Sequence, residues 1–296
     1  MKRLSPDKVC AAVIHYGPDP ARTIQTLERL RELEPPPGQV LVVDNGPMFA
    51  QDVWSTASTN NGTNSGFAGG VNQAANFAQV NGFDALWILN NDVTIAGNAL
   101  GALAGVLDEV PDADVVGSVV TMDEGRRIWF GGGNFDRRTG RAAHRSHGVA
   151  VDGCRFTGAT LATDWVNGCS MLIPMEAFAK RGPFDEDLFL YKEELDWQIR
   201  ISPLRAVIVD APLIDHEVGA TTGSTNGVLG RNFMCRNGLI LALRRRGIER
   251  ARWVLAWAID YAGRPLAKGR FRELSAVLFA LRTRRMTGFT AWESMQ

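Results

Sequence analysis

The sequence predicts an α/β protein whose core is a doubly wound parallel sheet, followed by a helical appendage. Two features carry that expectation. Apolar runs of strand length alternate with helix-length amphipathic stretches through residues 9–120, the pattern of strands joined by crossover helices. Charge is also divided unevenly: residues 231–286 hold 14 Lys and Arg against three acids, so a chain of net charge zero carries +11 there and −11 elsewhere. The expected division is residues 1–230 for the α/β unit and 231–296 for a basic helical region. With 296 residues, 45% hydrophobic and 22% charged, the chain can bury a sizeable core, and disorder, collagen and coiled coil are excluded as its main state.

Residues 9–15 read as a buried strand. Asp19-Pro20 opens a helix with Ile24, Leu27, Leu30 and Leu33 along one side, and Pro35-Pro36-Pro37-Gly38 ends it. Residues 40–43 form a second strand that delivers Asp44-Asn45-Gly46. Residues 55–70 are polar and Gly-rich, a loop, and a helix runs from about Ala68 to Gln79. A third strand, 85–89, delivers Asn90-Asn91-Asp92; 97–109 is helical and 114–120 is a fourth strand. Sheets of this kind bind ligands beyond the carboxyl ends of their strands, where Asp44 and Asp92 fall. After residue 121 the pattern changes. Residues 126–136 and 141–151 read as an inserted hairpin, 164–174 as a strand, 176–181 and 192–201 as helices. Short strands follow at 206–209 and 213–218, then helices with basic faces at 228–246, 250–266 and 269–285.

Five clusters could carry chemistry. Asp44-Asn45 at a strand end can accept from a nucleotide's base or ribose, although Asp-Asn-Gly is also a plain turn signal. The small-residue run Asn61–Asn72 enters a helix and lets backbone amides approach a ligand, yet has neither the Gly-Lys-Ser/Thr of a P-loop nor a Gly-x-Gly-x-x-Gly turn. Asn90-Asn91-Asp92 offers hard oxygen donors of the kind Mg²⁺ takes in small number, completing its shell with water and phosphate. Glu193-Glu194-x-Asp196 opens a helix, where acids suit the dipole. Glu194 lies on the side of Trp197 and Ile201, and a carboxylate bordering an apolar face gains proton affinity, as a general base needs. His216 precedes the Gly/Thr-rich stretch Gly219–Gly227, a loop suited to closing over a ligand. Each also has a bland reading as turn, cap or packing residue.

Taken in order, these pieces resemble the family-2 glycosyltransferases of the GT-A fold, in particular the rhamnosyltransferase-like and galactofuranosyltransferase-like bacterial branch. The likeness covers roughly residues 8–240 and rests on Val42-Val43-Asp44-Asn45, Asn64–Asn72, Leu89-Asn90-Asn91-Asp92, Asp164-Trp165-Val166-Asn167-Gly168, Phe184–Trp197, His216 with Gly219, and Arg236-Asn237. It implies a mixed, Rossmann-like sheet and a nucleotide-sugar-binding catalytic domain. Asp44 would hold a uracil or thymine base and its ribose, Asn64 and Gly66 would lie beside the nucleotide, and Trp165 and Asn167 would line the sugar pocket. Asn45, Asn72, Asn90, Asn91 and Asp196 would complete the donor site. Asp92 and His216 would hold Mg²⁺ or Mn²⁺, and Glu194 would be the catalytic base, with Glu193 the alternative.

Two departures matter. Asn90 replaces the first acid of the family's Asp-x-Asp motif, and Glu194 stands where Asp is usual. The extra methylene matters because a misplacement near 1 Å can cost on the order of 100-fold. The implied reaction is inverting transfer from a UDP- or dTDP-sugar to a glycan or polyprenyl-diphosphate-linked acceptor; a non-catalytic nucleotide-sugar-binding module is the alternative. Processive members of the family carry Gln-x-x-Arg-Trp, to which Glu249-Arg250-Ala251-Arg252-Trp253 is a near miss.

The basic end, with Trp253, Trp257, Tyr261, Leu274 and Phe279 among its arginines, suits an anionic membrane surface or a homodimer contact, and no nucleic-acid motif accompanies the charge. No apolar run reaches the roughly 18 residues of a membrane span, since Asp260 interrupts the best candidate. The start lacks an apolar signal segment, and Cys10, Cys154, Cys169 and Cys235 form no Cys-x-x-Cys pair. The expected location is cytoplasmic, in solution or peripheral on the cytoplasmic face of a membrane.

Overall fold

The computed structural model describes residues 4–46, 56–59, 62–217 and 227–295. Strands β1 (Val9–His15), β2 (Gln39–Asp44), β3 (Ala57–Thr59) and β4 (Ala85–Asn90) make one parallel half of a ten-stranded sheet, with β1 between β2 and β4. Every side chain of β1 is buried, which is why it reads as a continuous apolar run rather than an alternating one. The register sets His15 opposite Asp44 and Ile14 opposite Asn90. Polar residues thus arrive together at one edge.

The other half is mixed. β11 (Ser170–Pro174) runs antiparallel between β4 and β6 (Val115–Met122), and β12 (Ala206–His216) is parallel to β6. β5 (Val93–Ile95), β7 (Arg127–Phe130) and β10 (Thr160–Thr163) add antiparallel pairings. Alternation alone implied a parallel sheet throughout, whereas the mixed sheet is what is found. Helices α1 (Ala21–Arg31), α2 (Gly66–Val80) and α3 (Ala99–Glu109) connect the strands, and β8 (Gly133–Asp136) pairs with β9 (Arg141–His144) as the inserted hairpin.

Three local expectations shift. The strand expected over 164–174 begins only at Ser170, as β11, because the Asn167 carboxamide accepts the Cys169 N–H at 2.9 Å and turns the chain ahead of it; β10 ends earlier, at Thr163. The two strands expected over 206–218 are one, with register shifts around Pro212, which has no N–H to give the ladder. Part of the Gly-rich loop, Ala57–Thr59, pairs with β2.

Two short helices, α4 (Met175–Arg181) and α5 (Glu193–Ile199), precede β12. The basic region holds α6 (Val228–Arg244), α7 (Gly247–Ala258), a π turn (Ile259–Gly263), α8 (Arg264–Ala267), α9 (Ser275–Thr283) and a further short helix, α10 (Gly288–Glu293). The expected division at 230/231 falls inside the first turn of α6. Trp253 of the near-miss motif packs against the hairpin turn: its indole N–H donates to the Arg137 carbonyl at 3.0 Å, and a Cβ on Gly140 would meet its ring at 2.4 Å.

Arg181 locks the far end of the sheet. Its fully buried guanidinium pairs with Asp114 at 2.9 Å and donates to the carbonyls of Gln198, Ile201 and Pro203. Burial would raise the Asp114 pKa, but hydrogen bonds from Arg181 and the Arg205 N–H hold it below the usual carboxylate value. Asp114→Ala, which strands the arginine, is expected to lower unfolding free energy in urea titrations by about 3–5 kcal/mol. Because the folded pKa is depressed, the native contribution is present above the unfolded pKa and is lost as pH falls through the folded one.

Candidate active site

The carboxyl edge of β1, β2 and β4 opens into a cavity of about 620 Å³, a volume typical of small-molecule sites. Its floor is Asn90, Asn91 and Asp92 beyond β4; its walls come from the start of α2, the β8–β9 hairpin, the 165–169 turn, the 189–195 segment, and Leu229, Met234 and Trp292 of the appendage. Most of the lining is apolar, and the polar groups gather on the floor and at α5.

Asn91 is held from behind by α1. Its amide donates to Thr23 Oγ1 at 3.2 Å, Thr23 also bonds His15 Nδ1 at 2.8 Å, and Thr26 donates to the Asn91 carbonyl at 3.2 Å. Asp92 then faces His216 at the end of β12, where Oδ1 and Nε2 are 3.1 Å apart, and Asn90 Nδ2 approaches the same nitrogen at 3.5 Å. Antiparallel pairing of β5 with β12 sets His216 opposite Val93, so the two strand ends must converge.

The segment before α5 is bent into the cavity. Phe189, Tyr191 and Lys192 all have left-handed backbones, with φ of 62°, 65° and 69°, a conformation that costs L-residues energy and that surrounding structure must enforce. Asn237 of α6 does so: its amide donates to the carbonyls of Leu188, Leu190 and Tyr191 at 2.7–2.9 Å. Buried Arg236 donates to the Asp187 carbonyl at 2.8 Å. Glu193 and Glu194 follow, each with a buried carboxylate oxygen that has no hydrogen-bond partner among the described residues. Burial raises the Glu193 pKa well above the usual value, the Glu194 charge adding to it, and burial raises that of Glu194 as well. Buried Lys192 is pushed down by the same desolvation. Burial, then the charges of Asp92 and Glu194, raise the Cys169 thiol.

Eleven of the expected site residues line this cavity: Asn45, Asn64, Gly66, Asn90, Asn91, Asp92, Trp165, Asn167, Glu193, Glu194 and His216. Three do not. Asp44 is buried at the end of β2, where its carboxylate accepts the Gly46 N–H at 2.9 Å. Asn72 bonds the Phe184 backbone in both directions and reaches Glu186, fastening α2 to the segment before α5. Asp196 faces Arg200 and Arg244 at 3.9 and 3.8 Å, joining α5 to the appendage. Residues 218–226, most of the stretch expected to close over a ligand, lie outside the described residues.

Trp129, His144 and His147 were not singled out in the sequence, yet all three line the cavity. Both histidines share the Trp129 carbonyl through Nδ1, at 3.0 and 2.9 Å, and the Trp129 ring sits 4.5 Å from that of His216. Burial lowers the His144 pKa, favouring the neutral ring, and its Nε2 is 3.5 Å from the Asn167 amide. The one available signal was the clustering of two of the chain's four histidines in a short insertion.

No protein-family model matches the sequence, and no curated protein matches it. Solved structures do. GalNAc-T7, in a structure with UDP, GalNAc and Mn²⁺, aligns over 88% of this chain with TM-score 0.58 at 10% identity. The mannosyltransferase PcManGT from Pyrobaculum calidifontis, in complex with GDP-Man and Mn²⁺, aligns over 99% of this chain and 81% of its own with TM-score 0.54 at 15% identity. The fold is GT-A. TarS of S. aureus shares it over 82% of this chain, with TM-score 0.51 at 14% identity. The chain spans 57% of the GalNAc-T7 chain and 41% of the TarS chain.

Within this GT-A fold Gly66 has a packing reason of its own. At φ +69° a Cβ there would lie 2.4 Å from the Phe189 carbonyl oxygen. Gly66→Ala is expected to lower stability by about 1–3 kcal/mol in denaturant unfolding, through both the left-handed backbone and the clash.

Proposed function

We propose that the chain is an inverting glycosyltransferase that moves a rhamnose- or galactofuranose-type sugar from a UDP- or dTDP-sugar to a hydroxyl of a glycan or polyprenyl-diphosphate-linked acceptor. The observation that carries this reading is the convergence of Asp92 and His216 with Glu193 and Glu194 on one cavity at the carboxyl edge of a GT-A sheet. The structural neighbours named above are recorded with UDP or GDP-Man and Mn²⁺, which supports a nucleotide-sugar donor.

Asp92 and His216 fit a divalent ion. Adjacent ligands of an octahedral ion at about 2.1 Å lie about 3 Å apart, close to the 3.1 Å between Oδ1 and Nε2. Among the described residues no third His, Cys, Asp or Glu joins them, which leaves room for water and diphosphate oxygens, as Mg²⁺ or Mn²⁺ prefers. When bound, the ion supplies charge neutralisation at the leaving diphosphate.

The chain's own residues do the rest. Asn45, Asn64 and Gly66 present polar and backbone groups to the donor, with Asp44 holding the turn behind them, and Trp165 and Asn167 border its sugar. Glu194 takes the proton of the acceptor hydroxyl as that oxygen bonds the anomeric carbon from the face opposite the diphosphate. The bond from that carbon to the diphosphate oxygen breaks, with inversion and no covalent enzyme intermediate. A positioned base of this kind contributes roughly 10²–10⁴-fold. Glu194 is favoured over Glu193 because Glu193 is the more deeply buried, at 3% exposure, and carries its neighbour's charge as an added penalty on ionising.

Glu194→Gln is expected to reduce turnover by roughly 10²–10⁴-fold while donor affinity by calorimetry stays unchanged; full turnover would reassign the base. Since the base must be ionised to accept and its pKa is raised, kcat/KM should climb with pH through an acid limb above the ordinary glutamate range. Asp92→Ala should abolish the Mn²⁺ dependence of UDP- or dTDP-sugar binding, read as a thermal shift with and without chelator.

A further inference from the structure

We infer that the face formed by α7, the π turn, α8 and α9 is a docking surface for an anionic lipid bilayer. Nine of the thirteen exposed large apolar side chains among the described residues lie between Leu243 and Met286. On the unbroken helical run Gly247–Ala267 they are Ile248, Leu255, Ile259 and Leu266, at steps of seven, four and seven, the spacing of one helix face. Phe271 and Leu278 continue the exposed apolar set into α9.

Trp253, Trp257 and Tyr261 are not part of this face. Trp253 is buried, Trp257 donates to the Cys235 carbonyl at 2.8 Å, and the Tyr261 hydroxyl donates to that of Met234 at 3.1 Å. They seat the helices on the protein, and the opposite side is left apolar.

Charge decides what covers that side. Several of the region's cations are spent internally: Arg236 is buried, Arg244 pairs with Asp185, and Arg264 with Asp260. Arg246, Arg252, Lys268, Arg272, Arg282 and Arg285 are exposed and form no ion pair among the described residues. Two copies of a surface this basic repel each other, whereas anionic headgroups complement it while the apolar side chains enter the acyl boundary. No helix among the described residues is long and apolar enough to cross a membrane, so the run lies along the bilayer. The inference is independent of the proposed reaction, because its test needs no nucleotide sugar.

The test is sedimentation of the full chain with vesicles of phosphatidylcholine mixed with phosphatidylglycerol, against phosphatidylcholine alone. Binding to the anionic vesicles, weakened by salt, is expected. The combined variant Arg272→Glu, Arg282→Glu, Arg285→Glu should weaken it by more than about tenfold, and Leu255→Ser with Leu278→Ser should weaken it at constant charge. Circular dichroism should be unchanged, since all five positions are exposed. Equal binding to both vesicle types, no binding, or undiminished binding by the variants would overturn the inference. So would a dimer in equilibrium sedimentation that Leu255→Ser dissociates, which would assign the face to a second copy of the chain.

Discussion

Two neighbouring carboxylates cannot be buried without something to hold them there. Glu193 and Glu194 sit in a wall of the cavity with oxygens that have no hydrogen-bond partner among the described residues and with raised proton affinities, and the backbone that leads to them passes through three left-handed residues. Left to itself that segment would relax to ordinary dihedrals and carry the acids into water. Asn237 prevents this by donating to the carbonyls of Leu188, Leu190 and Tyr191, and Arg236 adds a bond to that of Asp187, one residue earlier. Both side chains are fully buried, where competing water is excluded and each bond counts for more. The appendage is therefore part of the site's machinery as well as a neighbour of it.

The strand ends were legible because buried parallel strands announce themselves as apolar runs, and polar residues just beyond them stand out. Asp44, Asn90 and Asp92 were found that way; the register sets Asp44 and Asn90 at one edge, and Asp92 follows two residues beyond. Direction within the sheet was not legible, since β11 presents the same apolar run whichever way it points. Pro212 concealed the continuity of β12 by interrupting its ladder without ending it.

Side-chain aim was harder still. Asn72, Asp44 and Asp196 lie in motifs of the right composition yet turn toward backbone amides and arginines: a local turn claims Asp44, and partners distant in sequence decide where Asn72 and Asp196 point. The reverse error concerns the hairpin. Trp129, His144 and His147 carry no motif: pairing of β7 with β6 places Trp129, and the packing of the β8–β9 hairpin against the 165–169 turn brings His144 to the cavity. A Cβ on Gly133 would lie 2.2 Å from the Trp165 ring, so that close approach depends on a residue whose only qualification is having no side chain.

The distance along the chain between the clasp and what it clasps has a temporal side. Asn237 and Arg236 stand 49 residues beyond Leu188 and Asp187. On a ribosome the sheet's last strand is complete before α6 has been synthesised, so the nascent chain holds a nearly finished scaffold with its acidic pair still unfastened. The bend can be fastened only once the first long helix of the appendage has settled over it.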